Sequence, residues 1–450
     1  MGRVYHYVLG DDDAPTTANT TQFWQMFGMA TKHNTEANTQ MMMRTDGTIS
    51  NLHVRVDLNT INDVCTIRVR KNGTDTSLAV TVPASSTGNY KDDSNTVTVT
   101  AGDKICLTTV PGSGSTGVIG LGFYRTVFAS SDASKTVTRL AVTSNIYSQN
   151  GAQFGFASTT NYFALNGVLT GTISAEAGAK CRQRRTGTFR NLIVKVRSNS
   201  RATDTIISLR KNGSSATNTI TVSAGATGWL EDTTHTDTIA VGDDFNYSLV
   251  TGTGGGAIII EYIGVEYVSP DGYGQLVAGS QSSSTTHAHS TNADFAIAGD
   301  RFGLSGLNTF QDRVPQDVEL TFSDLTILVG SNNTDNDSTF TFRKNNANGN
   351  QTVTIPANTT GVFSDMAGNT DSPSVDDVIN YRLSVGTGAS GDVIQVDVVS
   401  CWTFDGVAAP STAIKAECDA AGMDVAGEYY LDFTTADDVQ RQTVWFTLSA

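Results

Sequence analysis

"RVRKNG", residues 68–73, decides how this chain is read, because it returns as "LRKNG" at 209–213 and as "FRKNN" at 342–346. From Asn72 to Asn212 is a step of 140 positions, and the same step lays "GTISNLHVRV" (47–56) on "GTFRNLIVKV" (187–196). It also lays Thr87-Gly88 on Thr227-Gly228, and Gly102-Asp103 on Gly242-Asp243. A further 133 positions carry Phe189, Leu192 and Arg210 onto Phe322, Leu325 and Arg343, and after one inserted residue Asp243 falls on Asp377. A shift kept through so many apolar and turn positions marks three copies of one module.

Around the phrase, apolar residues alternate. Leu192, Val194 and Val196 share one face of "NLIVKVRS", and Ile67 with Val69 matches Ile207 with Leu209 and Phe340 with Phe342. Leu78, Val80 and Val82 correspond to Ile220 and Val222, then to Val353 and Ile355. A period of two with β-branched residues reads as half-buried strands. Asn-Gly between two such strands is the preferred pair of a type I′ hairpin turn, where both residues need positive φ. Asn345-Asn346 retains that turn, since asparagine tolerates the left-handed region. Thr-Gly, Gly-Asp and glycine-rich hairpins ("VPGSGSTG", "VTGTGGGA") punctuate the rest.

About eight strands per copy, with turns every ~8–12 residues, predict an all-β protein of three tandem antiparallel β-sandwiches of jelly-roll type. The copies occupy 1–128, 129–268 and 269–404, and 405–450 falls outside the repeat as a C-terminal docking or assembly segment. The short polar connectors predict a string of beads with restricted bending. Each copy opens on a less similar stretch, where distinct contacts are expected.

A net charge of −15 argues against nucleic acid as a partner, because phosphate recognition needs a basic surface. No apolar run approaches the ~20 residues of a membrane helix. The N-terminus lacks the apolar core of a secretory signal and meets Asp11–Asp13 early, so the chain is expected to be made in a cytoplasm and to need no signal peptide. The cysteines do not recur: Cys65 falls on Thr205 and Cys106 on Asn246, so free thiols rather than a disulfide framework are expected.

Candidate chemistry is sparse. His287 and His289 form a His-x-His pair that, in one strand, would point both imidazoles the same way toward a metal; a polar strand face is the competing reading. Aspartate pairs (Asp11–Asp13, Asp92-Asp93, Asp243-Asp244, Asp376-Asp377) lack the spacing of a calcium loop and read as turn residues. Arg70, Arg210 and Arg343 are expected to make ion pairs with turn aspartates inside each module. Trp24, Trp229, Tyr247, Tyr262 and Tyr273 suit core positions better than a sugar platform. No nucleophile elbow or phosphate loop is present, so no catalytic residue, no cofactor and no enzymatic activity are expected.

The phrases "LRKNG…NTITVSAGATGWLEDTTHTDTIAVGDDFNYSLVTGTGG" and "FRKNN…QTVTIPANTTGVFSDMAGNT" resemble repeats of structural proteins of tailed bacteriophages, fibre-like or head-surface decoration proteins. The C-terminal "GEYYLDFTTADDVQRQTVWF" is similar to another short element of that class. The resemblance implies a virion component assembled in a host cytoplasm. Its partners would be other copies of itself and other virion structural proteins, with a host-surface glycan as a further target. Two other readings stay open: a cell-surface filament or adhesin subunit, and a carbohydrate-binding or depolymerising protein. "VYHYVLG" (4–10) and the C-terminal piece are expected to make subunit contacts by strand addition.

Overall fold

The computed structural model describes residues 4–9, 16–26, 32–131, 136–143, 152–154, 158–168, 175–254, 256–279, 286–295, 304–305, 314–315, 320–365, 368–375, 377–404, 428–433 and 442–447. Asp11–Asp13, Asp376 and Cys418 lie outside them. The molecule divides into one unit at Met1–Gly406 and another at Val407–Ala450. The described part of the second is a hairpin of Glu428–Phe433 against Gln442–Thr447.

Each copy supplies eight principal strands. In sandwich 1 they are β1 (Val4–Leu9), β2 (Gln22–Trp24), β3 (Gly47–Asn59), β4 (Cys65–Lys71), β5 (Thr74–Val82), β6 (Gly88–Val99), β7 (Lys104–Pro111) and β8 (Val118–Ser130). In sandwich 2 they are β9 (Thr136–Thr143), β10 (Thr160–Phe163), β11 (Gly187–Asn199), β12 (Thr205–Lys211), β13 (Ser214–Val222), β14 (Gly228–Ile239), β15 (Asp244–Val250) and β16 (Ile258–Ser269). Sandwich 3 has β17 (Gly274–Gly279), β18 (Asn292–Phe295), β19 (Thr321–Asn332), β20 (Ser338–Lys344), β21 (Ala347–Ile355), β22 (Gly361–Ser364), β23 (Val378–Ser384) and β24 (Val393–Phe404). Among the described residues there is no α-helix, only two 3₁₀ turns at Glu36–Asn38 and Glu176–Ala179.

Strand order is the same three times. One sheet runs β1-β8-β3-β6, then β9-β16-β11-β14, then β17-β24-β19-β22; the other runs β2-β7-β4-β5, then β10-β15-β12-β13, then β18-β23-β20-β21. Antiparallel neighbours in that order make each copy a jelly roll, as the turn spacing predicts. The hairpin at the repeated phrase has the expected backbone. Asn72 and Gly73 take φ of +51° and +81°, Asn212 and Gly213 +51° and +84°, and Asn345 and Asn346 +47° and +70°.

One feature was not legible as alternation. Asn51, Asn191 and Asp324 hold positive φ at register breaks in β3, β11 and β19. Such a bulge resets the inward face, so Ile49 and Leu52, three apart, are both fully buried, as are Phe189 with Leu192. Gly187 opens β11 where space is absent: a Cβ there would sit 2.6 Å from the Tyr267 ring and 2.8 Å from the Val268 carbonyl.

Two expectations need correction. The N-terminal strand pairs within its own sandwich, from Val4 opposite Ala129 to Leu9 opposite Tyr124, as β9 pairs with β16 and β17 with β24. It is the first strand of its module, not a strand held out for a neighbouring subunit. Nor are the sandwiches beads. The core of sandwich 1 continues into Ile193, Tyr262 and Val268 of sandwich 2, and that of sandwich 2 into Val277, Leu328, Val398 and Trp402 of sandwich 3. Apolar contact, rather than connector length, limits their motion.

Candidate functional site: the junctions between sandwiches

The repeated phrase closes an exposed hairpin that is locked to a second turn of its own sandwich. Asn72 donates from Nδ2 to Asp103 Oδ1 (2.7 Å) and accepts the Lys104 backbone N–H on Oδ1 (2.8 Å). Lys71 Nζ lies 2.8 Å from Asp103 Oδ2. The same lock recurs as Asn212 with Asp243 and the Asp244 N–H, and as Asn345 with Asp377 and the Val378 N–H. Lys211 and Lys344 complete it. Burial alone would raise the Asp103 carboxyl, but bonds from Lys71, the Thr100 N–H and Asn72 outweigh it and hold the group at about 2.

The arginine reaches back to the 3₁₀ turn. Arg70 Nη2 is 3.1 Å from Glu36 Oε2 and also pairs with Asp75; Arg210 Nε is 2.9 Å from Glu176 Oε1. Both donate to the hairpin carbonyl, of Gly73 or Gly213. The pairs are internal to the module: Arg70 has the expected aspartate beside its hairpin turn, Asp75, as well as Glu36, whereas Arg210 pairs with Glu176. In sandwich 3 Arg343 bonds neutral Asn348 and the Asn346 carbonyl.

At the first junction, the turn and the residues after it meet the outer face of β11, β14 and β16. Lys195 donates to the Ala37 carbonyl and pairs with Glu261 at 2.9 Å, with side chains 12% and 2% exposed. Arg44 pairs with Glu231, and Thr45 Oγ1 donates to Glu266 Oε1 at 2.6 Å. Asn191, on the bulge, donates to the other oxygen of Glu266 at 2.5 Å. Trp229 meets Tyr262 edge to face at 5.9 Å, with Lys195 Nζ 5.4 Å from the Trp229 ring centre.

The second junction reuses these positions with other chemistry. Arg185, which stands where Thr45 does, binds Asp324, the bulge residue equivalent to Asn191, at 2.6 Å. Its guanidinium lies 3.6 Å from the centre of the Tyr273 ring, which stacks on Phe404 at 5.0 Å. Trp402 occupies the place of Glu266 and meets Tyr267 at 5.3 Å. Asn166 donates to the Val277 carbonyl at 2.9 Å. The same backbone thus carries a carboxylate at one junction and an indole at the other.

The other candidate residues fall elsewhere. The strand Thr286–Ala288 ends before His289, which sits in a turn beside Ser290, whereas His287 is 2% exposed and packs edge to face on Phe295 at 5.3 Å. The two imidazoles do not share a face. Asp92 and Asp232 accept the Ala79 and Thr219 backbone N–H groups from the opposite sheet and cap their own turns, while Asp243 and Asp244 serve the lock and Arg182. Trp24, Tyr247 and Tyr262 are core; Trp229 and Tyr273 line junctions, so none makes a sugar platform. Cys65, Cys106, Cys181 and Cys401 are buried free thiols. The junctions were invisible in the sequence because their pairs join positions from different copies.

No family model matches the chain, and no curated protein does. One solved structure, that of "The Triple Jelly Roll Fold and Turret Assembly in an Archaeal Virus", aligns with 88% of this chain and 90% of its own, at 12% identity and a TM-score of 0.15. A score that low carries no argument, and the jelly-roll assignment rests on strand order.

Proposed function

We propose that the chain is a virion structural protein, a fibre or capsid-surface component of a tailed phage, and not an enzyme. Its three jelly rolls act as stacked spacer and assembly modules. The observation that carries this reading is the repeated junction. Two successive contacts are built from equivalent positions, with Arg185 standing where Thr45 does and Trp402 where Glu266 does. Buried ion pairs and aromatic contacts between modules suit a part that must hold distance and orientation. The acidic surface suits a protein displayed at high local copy number, since net charge keeps such a surface soluble. Partners in this reading are further copies of the chain and other virion proteins, with a glycan on the host as its outer contact.

The test is to purify particles released from the source cells by lysis, band them by density, and look for the chain by mass spectrometry and antibody-labelled electron microscopy. Co-banding with capsid or tail proteins at fixed stoichiometry is expected. Recovery in a cell-envelope fraction without particles, or turnover of a glycan by the pure chain, would overturn the proposal.

A further inference from the structure

The junction between sandwiches 1 and 2 holds a titratable group at the base of its main contact. His33 Nδ1 accepts the backbone N–H of Thr35 at 2.8 Å, and its Nε2 lies 2.9 Å from Asn38 Nδ2. The Thr35 bond holds the ring against the turn whose Ala37 carbonyl meets Lys195 of the next sandwich. An imidazole that accepts on Nδ1 is neutral there. A proton at Nδ1 would set a donor against the Thr35 N–H, and one of the two must move.

The charges around the ring act in both directions. From sandwich 2, Lys195 and Arg197 on β11 and Glu261 on β16 act on His33. Glu261 is already engaged, 2.9 Å from Lys195 and 3.7 Å from Arg197. From sandwich 1, Glu36 is held by Arg70 at 3.1 Å and faces the buried thiol of Cys106, while Lys104 acts on Lys195. A protonated His33 would therefore add a cation beside two others that share one carboxylate. Burial lowers the ring's affinity for a proton, Glu261 restores part of it, and Arg197 and Lys195 lower it again.

We propose that this junction is an acid-loosened joint: protonation of His33 displaces the 33–38 turn, withdraws the Ala37 carbonyl from Lys195 and loosens sandwich 1 on sandwich 2, leaving the apolar contacts of Ile193, Tyr262 and Val268 as the remaining hold. The second junction has no histidine in its described contacts and stays closed over the same range. Sandwich 1 would then take one orientation at neutral pH and several in acid.

Amide hydrogen exchange on the full chain tests this between pH 7 and 5, with rates corrected for intrinsic pH dependence. Peptides over 32–45 and the outer face of β11 and β16 should lose protection together, the opening constant rising by up to tenfold per pH unit where one proton is linked. Peptides over 181–185 and β24 should not change. His33→Asn keeps an acceptor near the Nδ1 position but cannot be protonated, so its junction should stay protected throughout. If the wild-type peptides keep their protection at pH 5, or if His33→Asn loses it equally, the joint does not exist. Should His33→Asn fold poorly at pH 7, small-angle scattering of the wild-type chain decides instead. A radius of gyration that rises on acidification and returns on neutralisation supports the joint; an unchanged radius overturns it.

Discussion

Asn212 shows how much one residue carries. It holds a left-handed backbone, donates to Asp243 and accepts the Asp244 N–H. Asn212→Ala loses both bonds and keeps the strain, and should cost about 2–3 kcal/mol. Asn212→Gly keeps the conformation and should cost less than the alanine variant; equal urea midpoints for the two would refute the account. His287 adds a pH dependence to sandwich 3. Burial lowers its imidazole to about 4 from 6.5, with no carboxylate to offset it. The unfolded chain therefore takes up the proton first as pH falls through 6.5. Stability is full above that value and is lost progressively down to about 4. Between pH 7 and 5 the loss should be about 2 kcal/mol. His287→Leu should flatten that slope in urea titrations, and an unchanged slope would mean another group is responsible. Asp103 acts in the same sense over a lower window. Its carboxyl, held at about 2, stabilises the fold above pH 4, and that contribution disappears as the pH falls toward 2.

Elements bring together what single residues cannot. Gly187→Ala pushes a methyl into the Tyr267 ring and the Val268 carbonyl across the β11–β16 pair, with no room for either to yield. A cost of about 1–3 kcal/mol is expected from overpacking. A thermal midpoint within a degree of wild type would show that the strands can separate. The first strand offers a sharper contrast. Were β1 a strand meant for another subunit, removing residues 1–9 would leave sandwich 1 intact. Because it pairs with β8 in the same way as β9 with β16, its loss should bare the β8 edge. Amides along 124–129 should then exchange faster, with sandwich 3 unaffected.

Within Met1–Gly406 the three sandwiches share apolar cores rather than behaving as independent domains on tethers. Trp402 belongs to the strand order of sandwich 3 but to the apolar cluster of sandwich 2, against Tyr267. Trp402→Ala should cost about 3–5 kcal/mol. It should also separate the melting of sandwich 3 from that of sandwich 2 in a calorimetric scan. A single transition merely shifted downward would mean that coupling between the modules lies elsewhere.

Three copies, eight strands each, the type I′ hairpins and the jelly-roll class were legible from local pattern. Alternation reports which face a strand buries, and Asn-Gly reports a turn whatever surrounds it. The metal reading of His287 and His289 assumed a strand that stops one residue too soon. The bulges at Asn51, Asn191 and Asp324 left only faint marks, because a single inserted residue disturbs a short period very little. Periodicity alone determined the module and its number. Only the folded chain decided that the modules share cores, that the repeated arginine takes a different set of partners in each copy, and that the two joints differ in chemistry. Those contacts pair residues far apart in sequence, and each side taken alone resembles an ordinary strand face.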